Sequence, residues 1–317
     1  PKGVILNPRM LTWNAINTHL GWDLRSTDRT ILHAAMFYTA GWNVFTLPLF
    51  YCRAANILIQ SFEADLILEL IEREGVTVFF GVPTMFQMLL ESPRFDETDF
   101  SNVRFMVSGG APLSNEILDA FERHKSIRIW EGYGLTESSP VTHVNPFAEG
   151  KRKVGSIGIP IPDTQCRIVS LEDGATDMPL GESGELIIQG PQVMRGYWNK
   201  PDATAETLRD GWLYTGDMGY LDADGFLYVL GRYKSLLIAD DGEKYSPEGI
   251  EEAFTDQSEY VEQSLLHNNQ NSYTVALLHP NADALKRFLK NKGLAPDSKE
   301  GIEACLTLVD NEIREYR

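Results

Sequence analysis

Between Ala64 and Trp130, short β-branched and aromatic runs alternate with apolar stripes at helical spacing. This alternation restricts the fold more than any other feature. Leu66, Leu68, Leu70 and Ile71 line a helix over Ala64 to Glu74, and Gly75 is placed to stop it. Val76 to Phe80 then reads as a strand, and Val82-Pro83-Thr84 opens a helix running through Leu90. Val103 to Val107 is a second strand, Glu116 to Arg123 a helix, and Ile127 to Trp130 a third strand. Strands joined by short helical connections run parallel in a doubly wound sheet. Upstream, Asn7 to Leu20 reads as an amphipathic helix and Thr30 to Met36 as a buried strand.

In sheets of this kind ligands bind beyond the carboxyl ends of the strands. Two unusual segments fall on that rim: Ser108-Gly109-Gly110-Ala111-Pro112 and Trp130-Glu131-Gly132-Tyr133-Gly134-Leu135-Thr136-Glu137. In the second, two glycines flank an aromatic ring, so the backbone is expected to bend sharply and approach a ligand while Tyr133 offers a flat face. A hydroxyl (Thr136) and a carboxylate (Glu137) follow, suited to a phosphate oxygen and a hard cation. Taken alone, the octapeptide is equally a strand-to-loop turn closed by a capping Thr-Glu pair. It is not a dinucleotide fingerprint, because Glu137 stands where the third glycine belongs.

Residues 30–52 carry no Asp, Glu, Lys or Arg and are flanked by Arg29 and Arg53. That length could span a bilayer, yet His33, Tyr38, Thr39, Gly41, Asn43, Thr46 and Pro48 interrupt it. A buried strand followed by a core helix accounts for it better. After Gly150 the texture changes to short strands separated by Gly and Pro: Gln165 to Val169, Gly184 to Gln189 and Gly225 to Leu230. This reads as a small antiparallel β subdomain. Asp222-Ala223-Asp224-Gly225 resembles the start of a calcium loop but lacks the later ligands, so a hairpin turn is expected. Gly231 to Ala239 leads into a last segment of mixed helix and strand, with a helix over Pro247 to Phe254.

The fold class expected is therefore α/β. A doubly wound parallel sheet subdomain (1–150) precedes a small antiparallel, barrel-like β subdomain (151–231) and a partial α+β C-terminal domain (232–317). A chain of 317 residues exceeds one typical core, which agrees with several domains.

A net charge of −17 argues against nucleic acid and against an anionic membrane beyond peripheral contact. Cys52, Cys166 and Cys305 lie far apart without metal spacing, which suits a reduced, cytoplasmic protein. The N-terminal stretch has no secretory pattern. There is no His-Glu-x-x-His, no nucleophile elbow and no paired-cysteine site.

Leu213-Tyr214-Thr215-Gly216-Asp217 and Gly231-Arg232-Tyr233-Lys234 follow the two rim segments. In order and spacing, these four resemble the adenylate-forming superfamily of acyl-CoA synthetases, peptide-synthetase adenylation domains and luciferases. GYGLTESSPV, GVPTMF, MRGYWNKP and GEKYSPEGIE most resemble its fatty-acyl-CoA synthetase branch, over residue 1 to about residue 280. The resemblance implies that a carboxylate, a fatty acid in this branch, reacts with ATP to give an acyl-adenylate. Coenzyme A then takes the acyl group. Two anions meet in the first step, so such a site must neutralise charge and hold an in-line geometry.

The resemblance also implies residue roles. Glu137 would ligate Mg²⁺ and Thr136 would hydrogen-bond a phosphate. Tyr133, between Gly132 and Gly134, would stack on adenine, with Gly109, Gly110, Ala111 and Pro112 bordering the purine. Asp217 would take the ribose hydroxyls, unless it merely caps the Thr215-Gly216 turn. Arg232 would touch ribose or phosphate, unless it forms a surface ion pair. Lys234 matches the hinge between the two half-reactions, and Gly242-Glu243-Lys244 a loop that reaches the site in the second. Tyr38 stands where the family often has His, at the gate of the acyl pocket; Trp42 either packs in the core with Phe45 or lines an acyl tunnel.

Lys2 and Gly3 match the tail of a phosphate-binding loop whose front would precede residue 1. The family's catalytic lysine has no match before Arg317. The chain is thus expected to be a fragment of a longer ligase. An aryl- or amino-acid-adenylating enzyme, or a non-catalytic nucleotide- or acyl-binding module, stays open beside that reading. Oligomeric state is not legible.

Overall fold

Strands β1 (Arg29–Leu32), β2 (Ala55–Leu58), β3 (Val78–Gly81), β4 (Phe105–Ser108) and β5 (Ile129–Gly134) form the parallel part of the computed structural model. Residues 2–146, 152–235, 237–239, 244–245, 247, 250–251, 254–255, 258–271 and 273–315 are described. Within β3 and β4, side chains alternate between two cores. Phe79 and Met106 face a cluster with Ile67, Leu68, Phe86 and Phe121; Val78, Phe105 and Val107 face one with Trp22, Val44, Phe45 and Leu49. Helices α4 (Ala64–Arg73), α5 (Pro83–Glu91) and α6 (Asn115–Lys125) supply the first core. The second lies under α1 (Pro8–Gly21), α2 (Thr39–Asn43) and α3 (Thr46–Tyr51). Burial on both faces explains why these strands read as continuous apolar runs. The Thr77 N–H donates to the Arg29 carbonyl at 2.9 Å, setting β1 beside β3. The doubly wound parallel sheet is thus present.

Most boundaries lie within one or two residues of the sequence reading, and two strand ends differ by more. The strand expected to reach Met36 stops at Leu32, where its partner β2 stops. His33 then turns inward and donates from Nε2 to the Phe80 carbonyl at 2.6 Å. The strand expected to end at Trp130 continues through Gly134, because β6 (Val141–Val144) pairs with it antiparallel: Gly132 opposite Val144, Tyr133 opposite His143. Helix α1 is present, but its buried face includes Asn14, Asn17 and Thr18. Asn14 donates to the Asn43 carbonyl at 2.7 Å and accepts the Val141 N–H at 3.3 Å, tying α1 to α2 and β6.

At the opposite edge of the sheet Asp28, with a fully buried side chain, organises three connections. It accepts the Arg25 N–H at 2.7 Å, the Thr77 hydroxyl at 2.8 Å and the Arg104 guanidinium at 2.6 Å. Removing the carboxylate would leave the Arg25 N–H and the Thr77 hydroxyl without this acceptor and Arg104 with Asp23 alone, at 3.2 Å.

The antiparallel subdomain also forms. Strands β8 (Gln165–Val169) and β9 (Gly184–Gln189) take the expected bounds, after a short β7 (Ile159–Pro160) that pairs with β6. Beyond α7 (Pro201–Thr207) come β10 (Leu208–Arg209), β11 (Trp212–Leu221) and β12 (Leu227–Arg232), and the sheet order is β10-β11-β9-β8 with β12 on β11. The Asp222 turn is a hairpin: its N–H donates to the Phe226 carbonyl at 3.0 Å. Lys153 sits on Asp222 and, at 2.6 Å, on Asp224.

The chain divides into two compact units, residues 1–229 and 230–317. In the second, Leu237–Ala239 pairs with Lys244–Tyr245 and Asn269–Asn271, and Val261–His267 pairs antiparallel with Val275–Pro280. Helices Ala282–Lys292 and Lys299–Glu315 follow, with Lys290 and Lys292 exposed. The helix expected over Pro247 to Phe254 falls partly outside the described residues; Ile250, Glu251 and Phe254 are helical. Among the described residues no helix is long and apolar enough to cross a membrane.

Replacing the buried carboxylate, Asp28→Ala, should destabilise the first unit by about 3 kcal/mol. Urea unfolding measures this, and a loss below about 1 kcal/mol would show that Arg104 finds adequate solvation without it.

Candidate functional site

Strand β5 carries the centre of the site. Its register against β4 sets Ser108 opposite Glu131, which brings the Gly109–Pro112 loop beside Gly132. Gly109 is buried, whereas Gly110, Ala111 and Pro112 are exposed at the carboxyl end of β4. The ring of Tyr133 packs against the core of the antiparallel sheet, near Ile168, Leu186 and Leu227. Its hydroxyl donates to Asp217.

Asp217 does not cap a turn. It lies within β11 at a bulge, where Thr215, Gly216 and Asp217 oppose Leu186 of β9 alone. Gly216 takes a φ of +75°, a conformation glycine adopts without penalty. The Thr215 hydroxyl donates to the Leu186 carbonyl at 2.7 Å and accepts the Asp217 N–H at 3.0 Å. Bulges re-aim side chains; here the result is a carboxylate 5% exposed, directed at Tyr133.

A second group assembles around Glu137. After β5 the chain makes a short 3₁₀ turn (Thr136–Ser138) that leaves Thr136 exposed and Glu137 half-buried. Glu137 accepts the Met194 N–H on its carbonyl at 2.7 Å and the Tyr197 hydroxyl on Oε1, also at 2.7 Å. Lys2 stands over the Tyr197 ring, 4.7 Å from its centroid. Val4 bridges to Tyr197, and the Trp198 N–H donates to the Gly3 carbonyl at 2.7 Å.

So Gly109–Pro112, Gly132–Gly134 and Asp217 meet in one place, and Lys2 and Glu137 meet through Tyr197, with residues 134–137 joining the two groups. Tyr38 and Trp42 lie apart, 63% and 38% exposed. Of the two residues expected in the core, Phe45 is buried and Trp42 is not, because α2 ends at Asn43 and the short helix turns the indole outward. A small, half-open cleft lies nearby, lined by residues that include Thr30, His33, Ala40, Gly41 and Phe80 but neither Tyr38 nor Trp42. Arg232 ends β12 and is exposed, and Lys234 lies in a 3₁₀ turn (Tyr233–Ser235); both belong to the second unit. Gly242 and Glu243 lie outside the described residues, and Lys244 is in a strand.

Three neighbours escaped the sequence reading. Tyr197 stood inside MRGYWNKP without a role, although its flanking Gly196, at φ +143°, marked a special backbone. His143 is completely buried on β6, its ring 6.0 Å from that of Tyr133. Burial alone pushes its pKa down to about 3, so the imidazole is neutral. Glu131 accepts the Gly155 N–H at 3.4 Å, and burial raises its carboxyl above the ordinary range.

As for a metal, the described residues contain no cluster of three or more His, Cys, Asp or Glu able to hold one. Mg²⁺ on a nucleotide needs only one or two carboxylates, its other ligands being phosphate oxygens and water. The single half-buried Glu137 carboxylate fits that requirement.

A family model described as "AMP-binding enzyme" matches residues 1–198. The chain is 41% identical over 308 residues to a long-chain-fatty-acid–CoA ligase of Bacillus subtilis, covering 95% of this chain and 52% of that protein. It is 37% identical over 251 residues to a feruloyl-CoA synthase of an Amycolatopsis species, covering 79% and 50%. Among solved structures it superposes on the O-succinylbenzoate coenzyme A synthetase of Bacillus subtilis in complex with AMP. The TM-score is 0.78 at 29% identity, covering 93% of this chain and 60% of that one. The chain belongs to the AMP-binding enzyme family, the adenylate-forming superfamily to which its motifs pointed. It spans about half the length of the curated relatives it matches.

The buried imidazole has a pH signature. The unfolded chain binds a proton near pH 6.5 that folded His143 refuses until about pH 3. Its contribution is therefore intact above pH 6.5 and is lost as pH falls, at about 1.4 kcal/mol per pH unit. His143→Gln should flatten the fall in urea-derived stability between pH 6 and 4.5 by about that slope. An unchanged slope would mean that the folded protein protonates His143 without penalty.

Proposed function

We propose that the protein is an AMP-forming acid–thiol ligase, activating a fatty acid of medium or long chain with ATP and passing the acyl group to coenzyme A. The observation that carries this reading is the convergence of Gly109–Pro112, Tyr133 and Asp217 on the carboxyl edge of the sheet, with Glu137 and Lys2 beyond it. Family membership supports the ligase class, and the relatives named for fatty-acyl and feruloyl substrates bracket the acid.

In the first half-reaction the acid's carboxylate oxygen attacks the α-phosphorus of ATP, and the bond to pyrophosphate breaks. Tyr133 offers adenine a face, and the Gly109–Pro112 backbone lines the purine edge. Asp217, already an acceptor for Tyr133, is placed to accept from vicinal ribose hydroxyls as well, since an ionised carboxylate has about four acceptor sites. Thr136 is exposed and free to donate to a phosphate oxygen, and Lys2 adds positive charge. Glu137 would hold Mg²⁺, which supplies neutralisation of phosphate charge. In the second half-reaction the coenzyme A thiolate attacks the acyl carbonyl and AMP leaves.

Arg232 contacts ribose or phosphate, and Lys234 is the hinge on which the C-terminal domain, residues 232–317, turns between steps. Tyr38 and Trp42 edge the acyl entrance, where their exposure suits contact with an apolar chain. The three free cysteines fit a cytoplasmic setting.

The test is acid-dependent AMP release by the full-length protein, with palmitate and ferulate compared. Release with palmitate is expected; release with ferulate alone would make it an aryl ligase, and binding of an acyl-adenylate mimic without turnover a non-catalytic module. Asp217→Ala should raise the KM for ATP by roughly 10- to 100-fold, the worth of hydrogen bonds to a charged group. A change below about threefold would remove Asp217 from the ribose.

A further inference from the structure

We propose that Tyr197 is a positioning residue for the nucleotide-bound metal, holding the Glu137 carboxylate in place and keeping Lys2 from pairing with it. The inference rests on the reading of Glu137 as the magnesium ligand and adds to it a residue with no assigned role.

Tyr197 uses two parts of one side chain. Its hydroxyl donates to Glu137 Oε1 at 2.7 Å, while the ring face receives the Lys2 ammonium 4.7 Å from the centroid. A phenol donates one proton and occupies one acceptor site of the carboxylate, leaving the remaining lone pairs for a cation. It also brings no positive charge to compete with the metal, as a lysine or arginine would.

The tyrosine is firmly held. It is 6% exposed and packs with Met10, Met194 and Leu213. Its N–H donates to Thr204 Oγ1 at 2.9 Å, and that hydroxyl donates in turn to the Lys200 carbonyl at 2.8 Å at the start of α7. The segment carrying Tyr197 also donates the Met194 N–H to the Glu137 carbonyl, so one stretch of chain fixes both backbone and side chain of the glutamate.

Losing the hydroxyl would free the carboxylate to swing toward Lys2, which lies against the same ring. An ion pair there would consume the charge the metal needs. The conservative variant Tyr197→Phe removes only the hydroxyl and keeps the ring under Lys2.

The experiment uses full-length protein with a non-hydrolysable ATP analogue and follows Mn²⁺ binding by electron paramagnetic resonance. Tyr197→Phe should weaken Mn²⁺ binding about tenfold or more, the effect of one hydrogen bond to a charged group. The Mg²⁺ concentration for half-maximal AMP formation should rise by the same factor, with kcat recovering at saturating Mg²⁺. Glu137→Gln should weaken metal binding further, and Tyr197→Phe added to it should change nothing more. Two results overturn the proposal: unchanged Mn²⁺ affinity in Tyr197→Phe, or a kcat loss that no Mg²⁺ concentration restores. Unchanged affinity in Glu137→Gln would instead remove the underlying metal assignment, and the positioning role with it. Melting temperatures of all variants distinguish these outcomes from a fold defect.

Discussion

The site depends on how closely strand β5 approaches its neighbours. A β-carbon added at Gly134 would lie 1.6 Å from the Pro140 carbonyl oxygen, and one at Gly132 would lie 2.8 Å from the Trp22 indole. No side chain fits at either place, so β6 pairs with β5 directly through the backbone and the one ring between them, Tyr133, is free to reach the antiparallel sheet. The two glycines therefore serve close packing of an extended strand and not the sharp bend their spacing suggests. Through this strand the parallel sheet, β6 and the antiparallel subdomain are joined, and the candidate nucleotide residues lie on it or against it.

Where side chains alternate or recur with a clear period, the fold was legible in the sequence. The runs around Phe79 and Met106 send alternate residues to two cores, and of the stripe on α4 Leu68, Leu70 and Ile71 are buried, with Ile67 where Leu66 was expected. Features set by tertiary pairing were not legible. Strand β11 spans ten residues, yet Thr215-Gly216-Asp217 in its middle has the composition of a turn, because the bulge needs a positive φ and a self-bonding hydroxyl. Helix α1 hides its inward face for the opposite reason: Asn14, Asn17 and Thr18 are polar, and no hydropathy pattern announces that Asn14 is bonded to two distant backbones.

The candidate site residues divide along the same line. Those in glycine-rich segments after strands fell on the sheet rim, since topology alone places them there. Trp42 did not follow its hydrophobicity inward beside Phe45, because a five-residue helix presents too little surface to bury both aromatics. Tyr197 was invisible because its importance lies in two partners 60 and 195 residues away in sequence, Glu137 and Lys2.

Both carboxylates of the candidate site receive a tyrosine hydroxyl: Asp217 from Tyr133, Glu137 from Tyr197. In a chain of net charge −17 for which an anionic ligand is proposed, this choice of donor has an electrostatic reason. Desolvation raises the pKa of a buried or half-buried carboxylate unless its hydrogen bonds outweigh it; at Glu131 next door burial outweighs the Gly155 N–H. Pairing it with Lys or Arg would solve the desolvation problem but cancel the charge. A phenol orients the carboxylate and satisfies one lone pair while leaving the negative charge for a cation or for ribose hydroxyls. Lys2 is held apart over an aromatic face, where on the proposed reading its charge would be left for phosphate. The few charges of the site are thus fixed in position without being neutralised by one another, which is the preorganisation that bringing two anions together requires.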